Sequence, residues 1–134
     1  MDSKFYVSLE AAMLLKWKGY DKPTDYIYVI DGQFYSIWRN KDGNMESNYY
    51  HAPTKAEAID WLESKGIMVE LRTMYCESKQ ENGWHWFYAI CEGDCIEKIN
   101  ECNDYIKLFS TRLEAEEAAI IKALGLLKVE EEQL

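Results

Sequence analysis

No stretch of this sequence approaches the roughly 20 consecutive apolar residues that a helix needs to cross a bilayer, which argues against a membrane-spanning helix. The first residues, Met1-Asp2-Ser3-Lys4-Phe5-Tyr6-Val7, lack a basic region followed by an apolar stretch. No signal peptide is therefore expected, and a cytoplasmic protein with reduced thiols is. There is no Gly-rich phosphate loop and no twelve-residue calcium loop. Asp31, Glu92 and Asp94 stand where hairpin turns are expected and are read as turn residues, not as acid/base pairs or calcium ligands. Basic residues are also sparse: 15 Lys and Arg stand against 24 Asp and Glu, a formal net charge of −9. Such a chain repels a phosphate backbone, so direct nucleic-acid binding is not expected. The same charge keeps a protein soluble or attracts a basic protein partner.

What is present is the composition of a folded protein, with 48% hydrophobic and 14% aromatic residues in 134. That length suits one domain burying roughly two thirds of its unfolded surface, without help from a metal or a disulfide. Residues 1–129 are read as a single α+β domain. Glu130, Glu131 and Glu132 belong to an acidic, frayed C-terminus over 130–134.

Two helix starts carry the same signature. Thr54-x-x-Glu57-Ala58 and Thr111-x-x-Glu114-Ala115 each follow an aromatic, strand-like run, and each has the spacing of a capping box. Ala58, Trp61 and Leu62 after the first answer to Ala115, Ala118 and Ala119 after the second, so the apolar stripe repeats in phase. The first of these helices is expected to stop at Gly66. The second is expected to reach about Leu124, with Gly125 just past it. An earlier helix over about 8–18 is expected from the Ser8 cap, an apolar line through Leu9, Ala12, Met13 and Trp17, and Gly19 as its stop.

Between the helices the pattern is that of strands. Tyr26 to Ile30 and Gln33 to Trp38 flank Asp31-Gly32, a strong hairpin signal. Lys41 to Asn44 reads as a second turn and Met45 to Ala52 as a returning third strand, making a meander. Ile67 to Cys76 alternates, with Ile67, Val69, Leu71, Thr73 and Tyr75 on one face. A polar loop over Ser78 to Gly83 leads to Trp84 to Cys91, the most aromatic strand, and shorter strands run from Cys95 to Phe109. Strands followed by a helix, used twice, predict an antiparallel sheet with about three helices on one face. The order fits two similar ββ(β)α units, but duplication and mere similarity of order both remain open.

Three segments carry a family resemblance: Ser8-Leu9-Glu10-Ala11-Ala12 through to Lys18-Gly19-Tyr20-Asp21; Ala52-Pro53-Thr54 through Ala58 to Trp61-Leu62; and Glu114 to Ala118 through Lys122-Ala123-Leu124. Together they resemble a group of short proteins encoded by phages and mobile elements of gut Bacteroides. These motifs are caps and packing positions. The resemblance implies an accessory protein made inside a bacterial host and carries over no functional residue. Glu63 departs from it, since many relatives have a basic residue after the Trp-Leu pair.

The chemistry-bearing side chains assemble no recognised set. Cys76, Cys91, Cys95 and Cys102, with His51 and His85, are numerous enough for tetrahedral zinc, yet only Cys91 and Cys95 have knuckle spacing. They are read as packing thiols. No metal, cofactor or catalytic residue is assigned. The distinctive surplus is aromatic: Trp84, Trp86 and Tyr88 alternate on one strand and Tyr26 and Tyr28 on another. These five are the candidate partner-binding residues. The leading functional expectation is a non-enzymatic accessory protein that binds another protein, or itself, through the open face or edge of an aromatic sheet. The alternatives are an acidic nucleic-acid mimic that blocks a host defence protein, and a small enzyme with a cleft between the two halves.

Overall fold

A computed structural model describes residues 3–29, 32–36, 49–77, 82–92, 96–99, 101–102 and 105–127. Outside them lie Asp31, Ile37, Trp38, the expected turn over 41–44, the start of the third strand, the loop over 78–81, Cys95 and the acidic terminus. The chain is α+β, and the described residues form three α-helices and antiparallel strand pairs.

After a single 3-10 turn at Ser3–Phe5, α1 spans Leu9–Trp17. Ser8 caps it by accepting a hydrogen bond from the Ala11 amide, and Gly19 ends it at φ 97°. The buried residues are Ala11, Ala12 and Leu15, whereas Met13 and Trp17 are exposed. This corrects the apolar line expected through Met13 and Trp17. Small side chains at Ala11 and Ala12 permit close packing of α1, and with apolar residues at most positions the period alone could not choose the inward face.

Strands β1 (Tyr26–Val29), β2 (Phe34–Ser36) and β3 (Tyr49–His51) form the first sheet in the order β2-β1-β3. The meander is therefore corrected: the third strand returns to the far side of β1. The central position suits β1, whose Ile27 and Tyr28 are both buried although they point to opposite faces. The hairpin itself forms, with the Val29 amide bonded to the Gln33 carbonyl and the Gly32 amide to the Val29 carbonyl.

Helix α2 (Lys55–Ser64) opens with the complete capping box. Thr54 Oγ1 accepts from the Glu57 amide at 3.1 Å, and Glu57 Oε1 accepts from the Thr54 amide at 2.9 Å. It is followed by β4 (Ile67–Glu77) and β5 (Asn82–Glu92), a long hairpin in continuous register, with β6 (Ile96–Ile99) on the other edge of β5. A small ladder, β7 (Glu101–Cys102) with β8 (Tyr105–Ile106), comes next. The chain then rejoins β5 through paired Trp86 and Phe109 backbone bonds of 2.9 and 2.8 Å. The described strands thus divide over three sheets where one platform was expected.

Helix α3 (Arg112–Leu126) closes the fold. Its cap is half of the expected box: Thr111 Oγ1 accepts from the Glu114 amide, but the Glu114 carboxylate accepts from the Thr111 hydroxyl at 3.0 Å and not from the Thr111 amide. Gly125 lies within this helix and does not stop it. One hydrophobic cluster joins Ala11, Ala12 and Leu15 of α1, Ala58, Trp61 and Leu62 of α2, Ile67, Tyr88 and Ile90 of the long hairpin, and Ala119, Ile120, Ala123 and Leu124 of α3. The hairpin residues in this cluster all share one face, so α2 and α3 cover the same side of that sheet.

The first and last helices are also joined by polar bonds at both ends. Glu117 accepts from the Ser8 amide and from Ser8 Oγ, each at 2.9 Å, while Lys18 Nζ donates to the Leu127 carbonyl at 2.7 Å. The carboxylate at the start of α1 also sits favourably in the helix dipole.

Candidate functional site

The five aromatic candidates fall on two sheets. Tyr26 and Tyr28 belong to β1 and pack among aromatic neighbours: Tyr26 stacks on Phe34 at 4.9 Å with Tyr6 edge-on, and Tyr28 meets Phe34 at 5.1 Å. Tyr28 is buried, and its hydroxyl donates to the Val7 carbonyl at 2.8 Å. Burial, and secondarily the Glu117 charge, pushes its phenol pKa up, so it remains a donor. These two residues build the interior of their sheet.

Trp84, Trp86 and Tyr88 share the helix-covered face of β5, and their exposure rises steadily along it. Tyr88 is 8% exposed inside the core. Trp86 is half-buried, with the Arg112 guanidinium 5.4 Å from its ring centre. Trp84 is 68% exposed. The hairpin runs past the helices that cover its base, and its far end leaves large rings in solvent.

Trp84 has a companion that the composition did not single out. Tyr75 of β4 stands directly opposite it in the ladder, edge-to-face at 5.3 Å, and is 51% exposed. Its position on this face was legible from the alternation after Ile67. Its pairing with Trp84 was not, because the register depends on the loop at 78–81. The opposite face of the hairpin is less open than expected, since Phe87 and Ala89 are buried there.

Comparison with protein-family models, curated proteins and solved structures finds no match. Function has to be argued from geometry alone.

Chemistry-bearing groups are scattered. Cys76 and Cys91 are not joined in a disulfide and lie near opposite ends of the β4–β5 ladder, and among the described residues no three His, Cys, Asp or Glu side chains are grouped to hold a metal. His85 lies near Cys76 on the same face but turns its Nδ1 to the Gly83 carbonyl at 3.2 Å. His51 is elsewhere, on β3, where Nδ1 meets Thr24 Oγ1 at 2.9 Å. Among the described residues no helix is long and apolar enough to cross a membrane.

Proposed function

We propose that this protein is a small, non-enzymatic accessory protein that binds a protein partner through the aromatic end of the β4–β5 hairpin. The observation that carries the reading is the exposed Tyr75–Trp84 pair, two rings in mutual contact with more than half of each side chain's surface in solvent. Large rings held rigidly at a surface are the commonest interface anchors, because they bury much area at little cost in conformational entropy.

The partner we favour is a basic, extended segment. Among the described residues β4 is an edge strand in the order β4-β5-β6, and an edge strand can accept an added strand. A net charge of −9 attracts lysine and arginine, which also stack well on an exposed indole face. From the resemblance to short phage and mobile-element proteins of gut Bacteroides, we place this partner inside a bacterial host cell.

The test compares proteins that co-purify with the wild type and with a Tyr75→Ala/Trp84→Ala double variant. Selective loss of one basic protein from the variant, with unchanged circular dichroism, supports the reading. A wild-type protein that is monomeric and retains no protein, or retains the same ones as the variant, overturns it.

A further inference from the structure

Between α1 and β3 lies a cavity of about 230 Å³ lined by Ala12, Leu15, Lys16, Tyr20, Tyr49 and His51. Its floor is apolar, formed by the buried Ala12 and Leu15. The hydrogen-bonding character of its walls is set by contacts made behind them. Thr24 Oγ1 is 2.7 Å from the Tyr26 carbonyl and 2.9 Å from His51 Nδ1. A hydroxyl has one proton to give, and a carbonyl can only accept. The Thr24 proton therefore goes to Tyr26, and the hydrogen between Thr24 and His51 sits on Nδ1. A neutral ring in that tautomer keeps its lone pair on Nε2, which has no protein hydrogen-bond partner among the described residues.

The neighbouring groups keep the pattern in place. Burial, and secondarily the Lys16 charge, holds the His51 pKa below its ordinary value, which favours the neutral ring. Burial pushes the Tyr20 phenol up to about 12, helped by Glu57 and Asp21, so it stays protonated and able to donate. Lys16 Nζ donates to the Tyr49 carbonyl at 3.2 Å and lies 5.1 Å from the Tyr50 ring centre, which fixes a cationic donor beside the cavity. The walls thus offer one acceptor and two donors, between aromatic rings.

We infer that this cavity binds a small, neutral, single-ring lactam, its N–H donating to His51 Nε2 and the adjacent carbonyl accepting from Lys16 or Tyr20. An apolar cavity of about 150 Å³ is known to hold benzene, so 230 Å³ accommodates a six-membered ring with polar substituents. The aromatic side chains of Tyr20 and Tyr49 in the lining suit a ring-shaped ligand. Glu57 and Asp21 near Tyr20, together with the net charge of −9, disfavour a carboxylate ligand, and Lys16 disfavours a cation. Thr24 acts as a positioning residue, because it selects the tautomer without reaching the ligand.

The experiment titrates the full chain with uracil, N,N′-dimethyluracil and benzoate while following the imidazole nitrogen resonances by NMR. Uracil is expected to bind saturably and shift His51 Nε2. The dimethylated ring, which has no N–H, is expected to bind at least roughly tenfold more weakly, because it displaces water from the cavity without pairing the Nε2 acceptor. Thr24→Val is expected to change the tautomer signature of His51 and to weaken uracil binding in parallel. The inference fails if uracil does not bind at millimolar concentration, if both uracils bind alike, if benzoate binds better, or if the shifts fall away from His51. The comparison of the three probes on the wild type decides the matter even if a substituted chain does not fold.

Discussion

At the scale of single residues, Ser8 does three jobs, two of them with one short side chain. Its Oγ caps α1 and donates to Glu117, while its amide donates to the second Glu117 oxygen. Ser8→Ala removes the cap and leaves one carboxylate oxygen short of a donor in a half-buried place. The expected loss is about 1–2 kcal/mol in urea unfolding. A double-mutant cycle with Glu117→Ala should show coupling of at least about 0.5 kcal/mol, and strict additivity would mean that the contact contributes nothing.

His51 gives a pH-dependent counterpart. Because its pKa is lowered in the fold, the unfolded chain binds a proton there at pH values where the folded chain does not. Stability from this group is complete above the ordinary value of 6.5 and is lost as pH falls from there through the folded-state value. His51→Gln should flatten that part of the curve of urea midpoint against pH. Identical slopes for the two proteins would contradict the assignment.

At the scale of elements, two glycines predict opposite signs. Gly19 closes α1 at φ 97°, a conformation costly for any residue with a Cβ, although space is open around it. Gly19→Ala should destabilise by about 1 kcal/mol. Gly125 lies inside α3 with nothing within 4 Å of an added Cβ. Gly125→Ala should stabilise by about 0.5–1 kcal/mol, read as a higher thermal midpoint.

The helix starts at Ser8, Thr54 and Thr111 were legible because a cap and its partner lie within one turn of sequence. So was the alternation of β4. What escaped was everything that depended on distant pairing: the side of β1 on which β3 lands, the division of the described strands into three sheets, and the face of α1 that turns inward. Gly125 misled for a related reason. A glycine near a helix end looks like a stop, but burial of Ala123 and Leu124 carries α3 two residues further. Of the candidate site, the aromatic surplus was visible in composition. That Tyr28 and Tyr88 are interior while Trp84 is exposed follows from how far the helices reach along the hairpin, which no local pattern encodes.

At the scale of the whole molecule, stability and binding should separate along the β4–β5 hairpin. Its base is welded to α2 and α3 through Ile67, Tyr88 and Ile90, and its end carries rings in solvent. Ile90→Ala, in the buried base, should cost about 2–5 kcal/mol by opening a cavity. Trp84→Ala should change stability by less than about 0.5 kcal/mol, because little packing is lost. Chemical denaturation of the two variants checks both outcomes. A large loss for Trp84→Ala would show that its indole is part of the core.

The clasp between Ser8 and Glu117 bears on how the chain is made. The two residues are 109 apart in sequence. At elongation rates of roughly 5–20 residues per second, α1 leaves the ribosome about 5–20 seconds before its mate. Throughout that interval Ala11, Ala12 and Leu15 lack the α3 side chains that complete their cover, and a nascent chain stalled before codon 117 should remain sensitive to protease and attractive to chaperones.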